Sequence, residues 1–215
     1  MMLAILFCSH PSVQAQTIND NDSNGYRTVQ IDKQVWMLGN LDVSRFRNGD
    51  TIYQAKTADE WRMAALAGKP AWCHYNNDSA FGNTYGKLYN WYAVNDPRGL
   101  APEGWRIPTS SDWSKLIALL GSVDIAGMKL KSTQGWKLNG NGNNKSGFTA
   151  LPGGYRSENG VFAELLNKGQ WWAASSNIGG TEQDYSILLD SGVEAIFMKV
   201  KKLSGFSVRC IKNSQ

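Results

Sequence analysis

Apolar and polar residues alternate along Tyr26-Arg27-Thr28-Val29-Gln30-Ile31, the period of a strand with one buried face. Asp32-Lys33 supplies a turn, and Val35-Trp36-Met37-Leu38 reads as the antiparallel partner. The period then changes. Thr57-Ala58-Asp59-Glu60 places Thr and Glu in capping-box positions, and Trp61, Ala64 and Ala65 follow on one helical face. Thr109-Ser110-Ser111-Asp112 repeats the arrangement with Asp in the first turn. Behind it Trp113, Leu116, Ile117 and Leu120 recur at three- and four-residue spacing until Gly121 stops the helix. Pro108 ahead of the cap favours an extended entry.

Near the end of the chain three runs read as strands: Tyr185 to Leu189, Val193 to Val200 and Phe206 to Ile211. Their short connections predict an antiparallel meander. Between the helical and strand patterns, Trp136-Lys137-Leu138-Asn139-Gly140-Asn141-Gly142-Asn143-Asn144 is dominated by turn-forming residues and predicts a long irregular loop. Strands at both ends, two helices and a loop-rich centre predict an α+β domain.

Composition narrows the class without naming a function. Hydrophobic residues make up 42% of the 215, enough for a sizeable core. The formal net charge of +4 is modest, and the lysines form no tract; Lys199, Lys201 and Lys202 read as a solvated strand end. No nucleic-acid partner is expected. Met1 to Phe7 is apolar, and Ser12-Val13-Gln14-Ala15 offers a small-residue cleavage position, so residues 1–15 are expected to be a signal peptide, with an ordinary apolar first strand as the alternative. Residues 16–24 are polar and read as a flexible lead-in to a domain spanning 25–213. No transmembrane segment is expected in the mature chain.

Loss of that leader leaves Cys73 and Cys210. An even pair in an exported chain reads as a disulfide, with two buried thiols as the alternative. Half of a metal site is the third reading, but His10 and His74 are the only histidines and no ligand spacing accompanies them. No metal or cofactor is expected.

Five ordered stretches resemble a known family. They are Tyr85-Gly86-Lys87-Leu88-Tyr89-Asn90-Trp91-Tyr92-Ala93-Val94; Gly104-Trp105-Arg106-Ile107-Pro108-Thr109 with Asp112-Trp113; and Ser146-Gly147-Phe148-Thr149-Ala150-Leu151-Pro152-Gly153-Gly154-Tyr155-Arg156. Trp171-Trp172-Ala173-Ala174-Ser175 and Gly205-Phe206-Ser207-Val208-Arg209-Cys210 complete the set. Together they resemble the Fibrobacter succinogenes major paralogous domain. The resemblance implies an exported bacterial protein of the kind found in Bacteroidota and Fibrobacterota, with Bacteroidota taken as the expected source. It further implies a C-type-lectin-like fold related to formylglycine-generating sulfatase-modifying domains: a twisted antiparallel sheet, two helices and a long irregular loop region. A fold of that kind carries no activity by itself.

The candidate chemistry is that of binding. Nine tryptophans are present, and indole joins a large apolar face to a polar edge. Most are expected in the core; Trp136 flanks the Asn/Gly-rich loop and is the candidate ligand contact. Asn141, Asn143 and Asn144 offer the paired donors and acceptors that sugar hydroxyls require, though they equally suit a self-bonded loop. Tyr155 and Arg156, in the Gly-Gly-Tyr-Arg turn, and the acidic pair Glu182 and Asp184 complete the candidate site. Arg156 and Arg209 read first as anchors for nearby loops.

No catalytic residue is assigned: only His74 is available for a triad, and no serine sits in a nucleophile elbow. Sulfatase-modifying oxidase chemistry needs late cysteines to hold copper, whereas Cys210 stands alone there. The expectation is a non-enzymatic, secreted or cell-surface binding module with glycan as its possible ligand. The alternative is a structural or protein-interaction module of an envelope complex.

Overall fold

The computed structural model describes residues 12–174 and 183–213. In chain order the strands and helices are β1 (Ser12–Asn19), β2 (Gly25–Ile31), β3 (Gln34–Met37), β4 (Tyr53–Gln54), α1 (Ala58–Leu66), β5 (Ala71–Cys73), α2 (Gly82–Tyr85), β6 (Leu88–Asn90), α3 (Trp91–Val94), β7 (Trp105–Arg106), α4 (Ser110–Leu119) and α5 (Val123–Leu130). There follow β8 (Tyr155–Arg156), β9 (Phe162–Ala163), β10 (Gly169–Trp172), β11 (Gln183–Leu189), β12 (Ile196–Lys201), β13 (Gly205–Phe206) and β14 (Ile211–Lys212).

The helix starts follow from the caps. Thr57 accepts from the Glu60 amide and Glu60 answers it, opening α1. Thr109 and Asp112 do the same for α4. Both helices turn their expected apolar faces inward: Trp61, Ala64 and Ala65 on α1; Trp113, Leu116 and Ile117 on α4.

Helices and strands are both present, but the expected arrangement is overturned. The described residues hold five α-helices where two were expected, and three sheets where one twisted antiparallel sheet was expected. The strand orders are β1-β2-β3-β14-β7, β10-β11-β12 and β4-β5-β6-β13-β8-β9, and β4 runs parallel to β5. The C-type-lectin-like expectation is corrected on those grounds. The late meander changes as well. β11 and β12 pair antiparallel as predicted, but the run from Phe206 to Ile211 does not join them. It splits: β13 pairs with β6 and β8, while Ile211 pairs with Trp36 and Arg106. Between those ends the Arg209 side chain turns fully inward.

The core divides into three clusters. One gathers Trp72, Tyr89, Trp91, Trp172 and Phe206. A second holds Trp36, Trp113, Trp136, Phe148 and Trp171. A third forms around Trp61, Ala71 and Cys73. Trp171 and Trp172 face opposite ways, as a strand requires, and each enters a different cluster; both are fully buried.

Cys73 and Cys210 are free thiols, which corrects the expected disulfide. They are buried in different clusters, Cys73 against α1 and Cys210 beside Trp105 and Val208. Burial pushes both thiols up to about 12, so they stay protonated and inert at neutral pH.

The expected leader falls largely on residues 1–11, outside the described residues, and residues 12–15 open β1. Of the expected lead-in, residues 16–19 finish β1, which pairs with β2. Asp20 then closes a tight turn, its carboxylate accepting from the Asp22 and Asn24 amides, Asn24 Nδ2 and Tyr26 Oη. Among the described residues no helix is long and apolar enough to cross a membrane.

Candidate functional site

The structure disperses the residues the sequence singled out. Trp136 is buried, and its Nε1 donates to Ser132 Oγ and the Ala150 carbonyl, both at 3.1 Å. Asn141 Oδ1 accepts from the Trp136 amide at 3.0 Å, and Asn143 Oδ1 from the Lys145 amide at 3.1 Å. Asn144 clasps Thr149 twice: its Oδ1 accepts the Thr149 amide and its Nδ2 donates to Thr149 Oγ1. Thr149 needs that clasp, because its φ of 55° is costly for a β-branched residue. The Asn/Gly-rich loop thus turns its amides on itself.

Arg156 is fully buried and donates to the carbonyls of Gly160, Ala55 and Thr57. Tyr155 beside it is half-buried, its ring 5.9 Å from Phe206. Gly154 enters this turn with φ 65°, and a Cβ there would meet the Ala163 carbonyl at 2.6 Å. Asp184, on β11, accepts from Trp91 Nε1 at 2.5 Å inside the protein. Glu182 lies outside the described residues. Trp136 and Asn141 therefore share one loop, while Arg156 and Asp184 sit on different sheets and bond to different segments. Among the described residues, Trp136, Asn141, Asn143, Asn144, Arg156 and Asp184 hydrogen-bond within the protein.

A cavity of about 710 Å³ opens elsewhere, at the middle of the five-stranded sheet. Such a volume is typical of small-ligand sites. The β2–β3 turn contributes Ile31, Asp32, Lys33, Gln34 and Val35; β7 contributes Arg106; α4 contributes Asp112, Lys115 and Leu119; β14 and its end contribute Ile211, Lys212 and Asn213. The topology makes this cleft: β14 lies between β3 and β7, so residues from both ends of the family-like region meet beneath α4.

One ion pair braces it. Arg106 Nη1 and Nη2 reach the two Asp112 oxygens at 2.5 and 2.9 Å, a bidentate fork. Asp112 also accepts from the Thr109 amide and hydroxyl, and its carbonyl accepts from Gln34 Nε2. Burial raises the Asp112 carboxyl, but the bonds from Arg106 and Thr109 outweigh that and leave it at about 2. Asp112 is therefore the cap of α4, the partner of Arg106 and an anchor for β3 at once.

The cleft wall carries four cations and two carboxylates, with an aliphatic strip of Ile31, Val35, Leu119 and Ile211. With Arg106 held by Asp112, the lysines 33, 115 and 212 make no ion pair among the described residues. Each stands alone in the chain, so no run or spacing marks the three as a group. One signal was available: Asp112, Lys115 and Leu119 recur at helical spacing and so share a face of α4.

Among the described residues Asp50 and Asp96 converge on Arg98, which pairs with both. Glu158 pairs with Lys201, Glu164 with Lys168, and Asp42 with Lys87 at 2.8 Å and His74 at 3.4 Å. No group of three or more His, Cys, Asp or Glu side chains is placed to hold a metal ion among the described residues.

A family model described as the Fibrobacter succinogenes major domain matches residues 29–212. That description names Fibrobacter succinogenes, and the expected assignment to Bacteroidota is corrected accordingly. No curated protein and no solved structure matches the chain.

Proposed function

The chain belongs to the Fibrobacter succinogenes major domain family, and on that premise we propose a non-enzymatic binding module, secreted or displayed on the cell surface, that seats a glycan in the cleft between β14 and α4. The observation supporting this reading is the cleft itself: a ligand-sized opening whose rim is polar and whose strip of Ile31, Val35, Leu119 and Ile211 suits the C–H face of a sugar ring. Asn213 adds an amide able to both donate and accept. The absence of catalysis is part of the proposal. Among the described residues Asp112, Glu158, Glu164 and Asp184 each engage a different partner, which sets these four apart from a pair of carboxylates flanking one bond.

The test is a nuclear magnetic resonance titration of the whole labelled chain with plant, bacterial and mucin oligosaccharides. Saturable shifts centred on residues 31–35, 106 and 211–213 are expected. Shifts centred on the loop at 136–144, or none with any sugar on a folded sample, would overturn the cleft as the seat.

A second reading is a structural or protein-interaction module of an envelope complex. It draws on Val123, Ile125 and Met128 of α5 and Leu119 of α4, all large apolar side chains exposed to solvent.

A further inference from the structure

We infer that the ligand of the cleft is anionic: a polysaccharide carrying carboxylate, sulfate or phosphate groups. The inference rests on the reading of the cleft as a ligand seat and adds the ligand's charge. Lys33, Lys115 and Lys212 come from three separate elements, the β2–β3 turn, α4 and β14, and line the same cavity. Like charges brought together repel unless a counter-charge joins them. The protein supplies little of it. Asp112 faces Arg106 through both oxygens, which leaves Asp32 as the other carboxylate on the wall. The ammonium groups are strongly hydrated point charges that take carboxylate, sulfate or phosphate without a fixed fork geometry.

The remaining wall favours a saccharide carrier for that charge. Among the described residues no aromatic side chain lines the cleft, which leaves it without a stacking platform there for the bases of single-stranded nucleic acid. It offers instead aliphatic surface and the Asn213 amide. A neutral sugar would leave three ammonium groups with Asp32 as the one wall carboxylate not engaged by Arg106; an acidic sugar supplies the missing counter-charge. Lys33, Lys115 and Lys212 are exposed, so a charged chain longer than the cleft can run across its rim.

Calorimetric titration of the full chain tests this with four probes: polygalacturonate oligosaccharides, a sulfated glycan, a phosphate-bearing glycan and neutral cello-oligosaccharides. At least one acidic probe should bind about tenfold tighter than the neutral one, and its affinity should fall as salt shortens the screening length. The tightest acidic arm identifies which anion is read. Lys115→Glu and Lys212→Glu should each weaken acidic binding about fivefold or more, whereas Lys115→Arg, which keeps the charge, should preserve it. Circular dichroism of each variant verifies that the fold is intact. Neutral binding as tight as acidic binding overturns the anionic ligand but leaves the cleft as a glycan seat. Acidic binding indifferent to both reversals places the anion elsewhere and also overturns it. Absence of all binding removes the inference and the glycan reading together.

Discussion

Arg209 lies wholly inside the protein, where its Nε and Nη2 share Asn40 Oδ1 at 3.1 and 2.8 Å and its Nη1 donates to the Phe148 carbonyl at 2.6 Å. Its guanidinium stacks 4.5 Å from the Phe148 ring, and burial lowers its pKa. Arg156 repeats the pattern with three carbonyls and the rings of Trp61 and Phe162. In the cleft the arrangement is reversed: Lys33, Lys115 and Lys212 stand in solvent with no ion pair among the described residues. The interior charges are surrounded by neutral acceptors and fix three distant segments, around Asn40, Phe148 and Ala55–Thr57. Apart from the Arg106–Asp112 brace, the cleft cations, Lys33, Lys115 and Lys212, join no two segments by an ion pair among the described residues. The contrast separates cations needed for folding from cations left over for something outside.

The sharpest break in that contrast is Arg209→Met. It removes the Arg209 donors from the Phe148 carbonyl and from Asn40 Oδ1, which keeps the Trp171 Nε1 donor, and should cost about 2–4 kcal/mol in urea unfolding. Arg209→Lys should not restore it, since one ammonium cannot reproduce the fork. A loss below about 1 kcal/mol would mean that Arg209 is not the anchor described.

The tryptophans sharpen the comparison within the core. Trp171 Nε1 donates to Asn40 Oδ1 at 2.8 Å, while Trp113 Nε1 has no hydrogen-bond partner among the described residues. Both are fully buried, so replacement by Phe removes similar packing from each. Trp171→Phe should therefore cost about 1 kcal/mol more than Trp113→Phe in thermal unfolding.

Asp112 stands on the border between the two regions. Its folded pKa of about 2 lies below the usual carboxyl value near 3.9. The unfolded chain thus binds the proton first, and the contribution of Asp112 is present above about pH 4 and lost as pH falls toward 2. Asp112→Asn should flatten that part of the acid profile, measured as urea midpoints between about pH 5 and pH 2, and should cost about 1 kcal/mol at neutral pH through the weakened cap and fork.

The smallest effect on stability belongs to the cleft lysines. Lys115→Gln should change unfolding by no more than about 0.5 kcal/mol. A larger loss would show that Lys115 serves the fold after all.

The two capped helices were legible because their information is local: Thr57 with Glu60 and Thr109 with Asp112 each lie within one turn. α5 was not, because Gly127 interrupts it and its place is set from afar. There the Met128 amide reaches the Val193 carbonyl, and a Cβ on Gly127 would strike the Glu194 carbonyl. α2 and α3 are single turns with too few residues to show a period. The Asn/Gly-rich stretch read correctly as irregular, but Asn141 and Asn144 look alike in sequence whether they face a sugar or Trp136 and Thr149. The five family-like stretches are conspicuous for what they do inside: Arg156, Trp171, Trp172 and Arg209 are all fully buried. The cleft lysines escaped notice because the fold, not their spacing, brings them together.

The seating of β14 between β3 and β7 also sets a clock on biogenesis. Ile211 pairs with both Trp36 and Arg106, so the sheet does not join β3 to β7 until that residue has left the ribosome. Contacts this remote in sequence slow folding and leave strand edges open in the meantime. A nascent chain halted before residue 211 would therefore present two unpaired edges to chaperones and proteases, and its commitment to the native state must come after synthesis of the domain.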